Sequence, residues 1–192
     1  HRVTAVASRS IYGRSGAVLP RREDIPVAGS DHAIRARRVG MSLFGKASIA
    51  ARILDFGLFY LLAAFRVLTL PRPDVVISFT TPPFIPLVGL LSRLFRGSRA
   101  VYWVMDLYPD LPIACGVMRE RALPTRLFES LNRFLLKRSD MNVVLGRCME
   151  ARVLAKGTPR ERVRRISVWS DLAPEGGGRS DSVREFRRQW NV

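Results

Sequence analysis

Residues 71–112 read PRPDVVISFTTPPFIPLVGLLSRLFRGSRAVYWVMDLYPDLP, and this stretch decides the fold. Two short apolar runs, Val75–Phe79 and Ala100–Met105, each end in a cluster of polar and proline residues. Between them Phe84–Phe95 is apolar for about three helical turns. Strand, loop, helix, strand, loop is the unit of a parallel sheet, whose buried strands read as nearly continuous β-branched and aromatic runs. Ligands of such sheets bind beyond the carboxyl ends of the strands. Two loops leave from that edge, Thr80-Thr81-Pro82-Pro83 and Asp106-Leu107-Tyr108-Pro109-Asp110, so a site is expected there.

Working outward, Arg2–Ser8 is rich in Val, Ala and Thr and reads as a strand. Residues 9–35 carry Gly13, Gly16, Pro20, Pro26 and Gly29 without a period and read as a long loop, with Ile34–Val39 a short strand after it. Leu43–Leu70 holds a charge-free run, Phe56–Phe65, about half the ~20 residues that a membrane span requires. It is read as a helix buried on the sheet, or as one with a face on a membrane surface, where its arginines meet anionic headgroups. Pro71 and Pro73 stop it. On the other side, Leu123–Lys137 spaces Leu127, Leu131, Phe134 and Leu135 along one helical face behind Pro124. Met141–Leu145 reads as a buried strand, Cys148–Ala155 as a helix, Pro159–Arg162 as a turn and Arg165–Trp169 as a strand. A glycine-rich linker follows Asp171, and Ser182–Trp190 reads as a basic helix. The sum is an α/β, Rossmann-like domain over residues 1–172, with about five mostly parallel strands and helices on both faces, and a linker segment over 173–192.

The chain has 192 residues, 47% of them hydrophobic, enough for a core of its own. Its net charge of +16 is almost wholly arginine, the lysines being Lys46, Lys137 and Lys156. That balance suits nucleic acid, anionic lipid or a phosphorylated ligand, or a solvated surface in an arginine-rich protein. The arginines are scattered, and neither an aromatic-interleaved basic strand nor zinc-finger spacing is present, which disfavours nucleic acid. Cys115 and Cys148 stand alone and fit no disulfide framework or metal cluster, pointing to a reducing cytoplasm. Both ends read as cut: His1 begins as if at a second strand, and the chain stops just after a helical pattern.

Four segments carry a family likeness: PDVVISFTTPPFIPLVGLL, YWVMDLYPD with its following GVM, SDMNVVLGRCME and ISVWSDLAPE. Together they resemble the N-terminal, acceptor-side domain of family-four glycosyltransferases of the GT-B fold, in the branch of lipopolysaccharide, colanic-acid and other cell-surface polysaccharide transferases. The resemblance covers nearly the whole chain. It implies two Rossmann-like domains across a cleft, the second holding a nucleotide-sugar donor. It also implies a first strand ahead of a Gly-His pair whose histidine would be His1, so that the first strand and the donor domain lie outside this sequence and the piece alone is inactive. No bound metal or other cofactor is implied, donor charge being met by side chains and helix N-termini. The implied acceptor is a lipid-linked or surface glycan, such as a polyprenyl-diphosphate-linked sugar, reached from the cytoplasmic face with peripheral contact to an anionic membrane.

On this reading Asp106 is the catalytic candidate: a carboxylate just past a buried strand accepts a hydrogen bond from an acceptor hydroxyl, orients it, or helps deprotonate it. The alternative is an aspartate that anchors its own loop. Tyr108 and Asp110 on the same loop are candidates for contact with sugar hydroxyls. Thr80 and Thr81 either bind a phosphate or sugar or cap the helix behind them, and Gly146 at the next strand end either permits close backbone approach or simply makes a turn. Val168 stands where many relatives carry asparagine, so no asparagine role is transferred to it. Two rivals to transferase activity remain: a truncated or split module that only binds an acceptor or a partner chain, and another Rossmann-like nucleotide-binding enzyme. No G-x-G-x-x-G follows a predicted strand here, which counts against the second rival.

Overall fold

A computed structural model describes residues 2–10, 18–27, 29, 31–40, 49–168 and 188–189. Its strands are β1 (Val3–Ser8), β2 (Arg22–Pro26), β3 (Ala33–Val39), β4 (Val75–Ser78), β5 (Arg99–Val104), β6 (Met141–Val144) and β7 (Val163–Arg165). Its α-helices are α1 (Ile49–Thr69), α2 (Pro86–Arg96), α3 (Asp110–Ala114), α4 (Leu123–Arg138) and α5 (Arg147–Ala155), with a 3-10 turn at Arg160–Arg162. The linker after Asp171 lies outside the described residues, as does most of the expected Ser182–Trp190 helix, of which Arg188 and Gln189 are helical.

The α/β class and the parallel Rossmann-like sheet are as expected. The strands β4-β5-β6-β7 lie side by side, all parallel, with Ser78 opposite Tyr102 and Val104 opposite Val144. Each connection advances in the same direction, so right-handed crossovers place α2, α4 and α5 on one face. Along β5 the residues of that face, Ala100, Tyr102 and Val104, are buried, while Arg99, Val101 and Trp103 between them are less so. Tyr102 and Val104 pack with Leu135 and Leu136 of α4, Val144, Val153 of α5 and Val163 into the core. The absence of a side chain at Gly89 lets α2 sit directly on the sheet: a Cβ there would lie 2.9 Å from Ser78 Oγ. Asn142, fully buried, donates from Nδ2 to the carbonyls of Leu136 (2.9 Å) and Arg162 (3.3 Å), tying α4 and the 3-10 turn before β7 to β6. Helices were expected on both faces; the described helices that pack on this sheet occupy one. On the other, Val75, Ile77 and Phe79 are about half exposed.

Two expectations are corrected. First, there are seven described strands in two sheets, not about five in one: β1-β3-β2 forms a separate three-stranded sheet. Second, the long loop over 9–35 contains β2, which pairs antiparallel with β3 from Arg22 opposite Arg37 to Pro26 opposite Ala33. Every residue of β2 is exposed and three of the five are charged, so no apolar alternation marks it. Charge and a terminal proline suit an outer edge. Its specificity comes from cross-strand ion pairs, Glu23 with Arg38 at 2.6 Å and Asp24 with Arg37 at 3.7 Å. Smaller differences are the last strand, which sits at Val163–Arg165 and not Arg165–Trp169, and α3, which was not anticipated.

The edge strand β1 of the small sheet pairs with β3 alone, and β4 pairs with β5 alone, so each presents one unpaired edge among the described residues. Helix α1 packs against β1 and β3 and also against α2. Arg96 of α2 reinforces that junction, donating to the carbonyls of Leu68 and Leu70 at the end of α1 (3.1 Å to the latter).

Candidate functional site

The carboxyl edge of β4 and β5 assembles as the strand ends require. After β4 the chain turns through Thr80 and Thr81, with a cis bond between Thr81 and Pro82, and Phe84 takes a left-handed φ of 69°. Such a backbone is uncommon for a bulky residue. The Phe84 ring is held edge-on to Phe128 of α4, centroids 4.8 Å apart. After β5 the chain passes through Asp106 and a cis bond between Tyr108 and Pro109 into α3.

Thr80 joins the two loops. It is fully buried, and its Oγ1 accepts the backbone N–H of Met105 at 2.7 Å and of Asp106 at 3.2 Å. The same hydroxyl donates to the Trp103 carbonyl at 3.4 Å. Neither reading made from sequence describes this: no side chain caps α2, and the hydroxyl is turned to the neighbouring strand end. Thr81, in contrast, is exposed beside the site.

Asp106 is partly exposed at the strand end, as expected. Around it lies a group of phenols. Burial, and secondarily the Asp106 charge, pushes the Tyr108 hydroxyl above its ordinary value. Tyr102 is raised by burial and by the neighbouring Tyr108, Asp106 and Tyr60. Tyr60 is raised by burial and by Tyr108. All three therefore stay protonated at neutral pH and can donate hydrogen bonds. Tyr60 belongs to α1 and donates to the Pro83 carbonyl, tying the α1 helix to the site. The sequence offered no sign of its role, since it sits inside the apolar run Phe56–Phe65 and only the packing of α1 brings it to the loop.

Asp110 faces away from that group. Its carboxylate pairs with Lys156 at 2.7 Å and Arg152 at 3.0 Å. Burial raises its pKa, but the hydrogen bond and charge of Lys156 and the bond from Arg152 outweigh this and hold it below the usual carboxylate value. Lys156 also binds Glu129 at 2.5 Å, and Glu129 binds Arg133, so a charged chain links α3, α4 and α5 behind the loop. Gly146 precedes α5 with extended backbone, and a Cβ there would meet nothing within 4 Å, so close packing does not demand glycine at this position. The structure thus gathers Thr80, Thr81, Asp106 and Tyr108 at two adjacent strand ends, with Asp110 on the same loop but engaged with α5.

What this edge can do chemically is hold a hydroxylated ligand against one carboxylate and the neutral Tyr108 phenol, since the Tyr60 hydroxyl is engaged with Pro83 and Tyr102 is buried. The two cysteines are free and exposed. Among the described residues, no helix is long and apolar enough to cross a membrane.

Comparison with known proteins gives the same direction. Over 99 residues the chain is 32% identical to a protein of Pseudomonas aeruginosa described as "Probable glycosyltransferase WbjE". That match covers 52% of this chain and 25% of the relative's length. Residues 1–169 match the Glycosyl transferase 4-like domain, a span that includes both sheets and the loops after β4 and β5. The chain therefore belongs to the glycosyl transferase 4-like family.

Proposed function

We propose that this chain forms the acceptor-side half of a glycosyltransferase that moves a sugar from a nucleotide-sugar donor to a lipid-linked or surface-glycan acceptor. In this reading the donor is held by a second domain outside residues 1–192, and no resident metal takes part. The observation that carries it is Asp106, a partly exposed carboxylate at the carboxyl end of β5 inside a glycosyl transferase 4-like domain. Its role is to accept the acceptor hydroxyl's hydrogen bond, aim its oxygen and help remove its proton, with Tyr108 and Thr81 beside it as sugar contacts. Among the described residues β1 and β4 each keep an unpaired edge, which supports a further strand pairing there.

The acceptor reading extends to a membrane surface. Leu61 and Phe65 of α1 and Leu94 and Phe95 of α2 are each about two-thirds exposed or more. Arg93, Arg96 and Arg99 lie around the end of α2. Apolar side chains ringed by arginines suit shallow, peripheral docking on an anionic leaflet at the cytoplasmic face, within reach of a polyprenyl-linked acceptor.

The test is transfer by the native protein from radiolabelled UDP-, GDP- and dTDP-hexoses to vesicles carrying a polyprenyl-diphosphate-linked sugar. Asp106→Asn is expected to lower turnover by roughly 100-fold or more, the scale of general-base assistance, without altering the melting temperature. Wild-type turnover in the variant would remove Asp106 from the mechanism. Absence of transfer from every donor by the native protein would sink the transferase reading itself.

A further inference from the structure

The geometry points to Thr80 as a positioning residue for Asp106. This rests on the catalytic reading of Asp106 and adds to it the group that aims the carboxylate. A threonine hydroxyl offers one proton and two lone pairs. At Thr80 all three are committed to the β5 strand end: the oxygen accepts N–H from Met105 and Asp106, and the proton goes to the Trp103 carbonyl. The side chain is fully buried, so no ligand reaches its oxygen.

Met105 and Asp106 lie one and two residues beyond the last paired residue of β5, Val104. Their amides have left the strand ladder, and the backbone that carries the carboxylate would turn freely there without another partner. Thr80, one strand over and 26 residues earlier, supplies it. The Asp106 peptide is thereby fixed from β4, and the direction of its Cα–Cβ bond is set before any acceptor arrives. Preorganisation of this kind is spent on the reacting geometry, and it disappears when the brace is cut.

Amide hydrogen exchange and transfer kinetics on the intact native protein test the assignment together. In the wild type the amides of Met105 and Asp106 should be protected; rapid exchange at both would overturn the proposal without any variant. Thr80→Val keeps the shape and removes the hydroxyl. It should speed exchange at those two amides roughly tenfold or more, since two partly buried donors lose their acceptor, while Tyr102 and Val104 stay protected. Transfer in the assay above should fall at least about tenfold in kcat with KM for the vesicle acceptor little changed, because aim is lost and not contact. Thr80→Ser restores the hydroxyl and should recover both exchange protection and kcat. A serine variant as impaired as the valine one would overturn the proposal, as would unchanged exchange in Thr80→Val. Should exchange respond as expected while Asp106→Asn transfers at the wild-type rate, the proposal fails through the catalytic reading of Asp106 and not through the Thr80 geometry.

Discussion

Replacing Lys156 by methionine keeps the aliphatic stem and removes the ammonium from between two carboxylates. Lys156 is buried to 7% exposure and pairs with Asp110 at 2.7 Å and Glu129 at 2.5 Å. Breaking a fully buried ion pair costs about 3–5 kcal/mol, because a charge is left without its partner. Here the Asp110 and Glu129 side chains are 21% and 25% exposed, and Arg152 and Arg133 remain to each. Water and these second cations reduce the loss to about 2 kcal/mol, which for a chain of this size lowers the melting temperature by about 4–8 °C. The loss should depend on pH. Burial works against the charged form of Asp110, yet Lys156 and Arg152 hold its pKa below the usual value. A carboxyl lowered in the folded state adds stability that is fully present above its unfolded pKa of about 3.9 and is lost as pH falls through the folded value. The gap between wild type and Lys156→Met, measured by thermal melts, should therefore be widest at pH 7 and narrow as the pH is taken below about 3.9. An equal gap at both ends of that range would show that the loss does not come from the pairing with the Asp110 carboxylate, and no gap at pH 7 would refute the network.

Gly89→Ala should destabilise by about 1–3 kcal/mol, the range for overpacking, because the new methyl would lie 2.9 Å from Ser78 Oγ and push α2 off β4; unchanged urea midpoints would show that the helix shifts at no cost. Asn142→Ala removes the donor to the Leu136 and Arg162 carbonyls and should cost about 1–3 kcal/mol in chemical denaturation. Leu94→Ser with Phe95→Ser should cut salt-sensitive flotation with anionic vesicles several-fold while leaving melting unchanged, as both side chains are mostly exposed. Equal flotation by the double variant would place any membrane contact elsewhere.

Residues 71–112 determined by themselves the βαβ unit, its strand ends and the position of Asp106, because buried parallel strands and a proline-punctuated helix leave a strong local pattern. The Leu123–Lys137 helix and the Met141–Leu145 strand were legible for the same reason, each to within a residue. Strand β2 was not, since an exposed edge strand is specified by its cross-strand partners, Arg37 and Arg38, and not by its own periodicity. The split into two sheets was also beyond sequence: strand identity is local, whereas which edges pair is a property of the assembled chain. The same distinction holds at the site. That Thr80, Tyr108 and Asp110 stand at strand ends follows from their sequence positions. Only tertiary structure decided that the Thr80 hydroxyl is consumed by the neighbouring loop, that Asp110 is drawn to Lys156, and that Tyr60 of α1 joins the site. A side chain's position along the chain names the edge it stands on, but what its polar atoms bind depends on groups tens of residues away, which are brought to it only when the helices pack on the sheet.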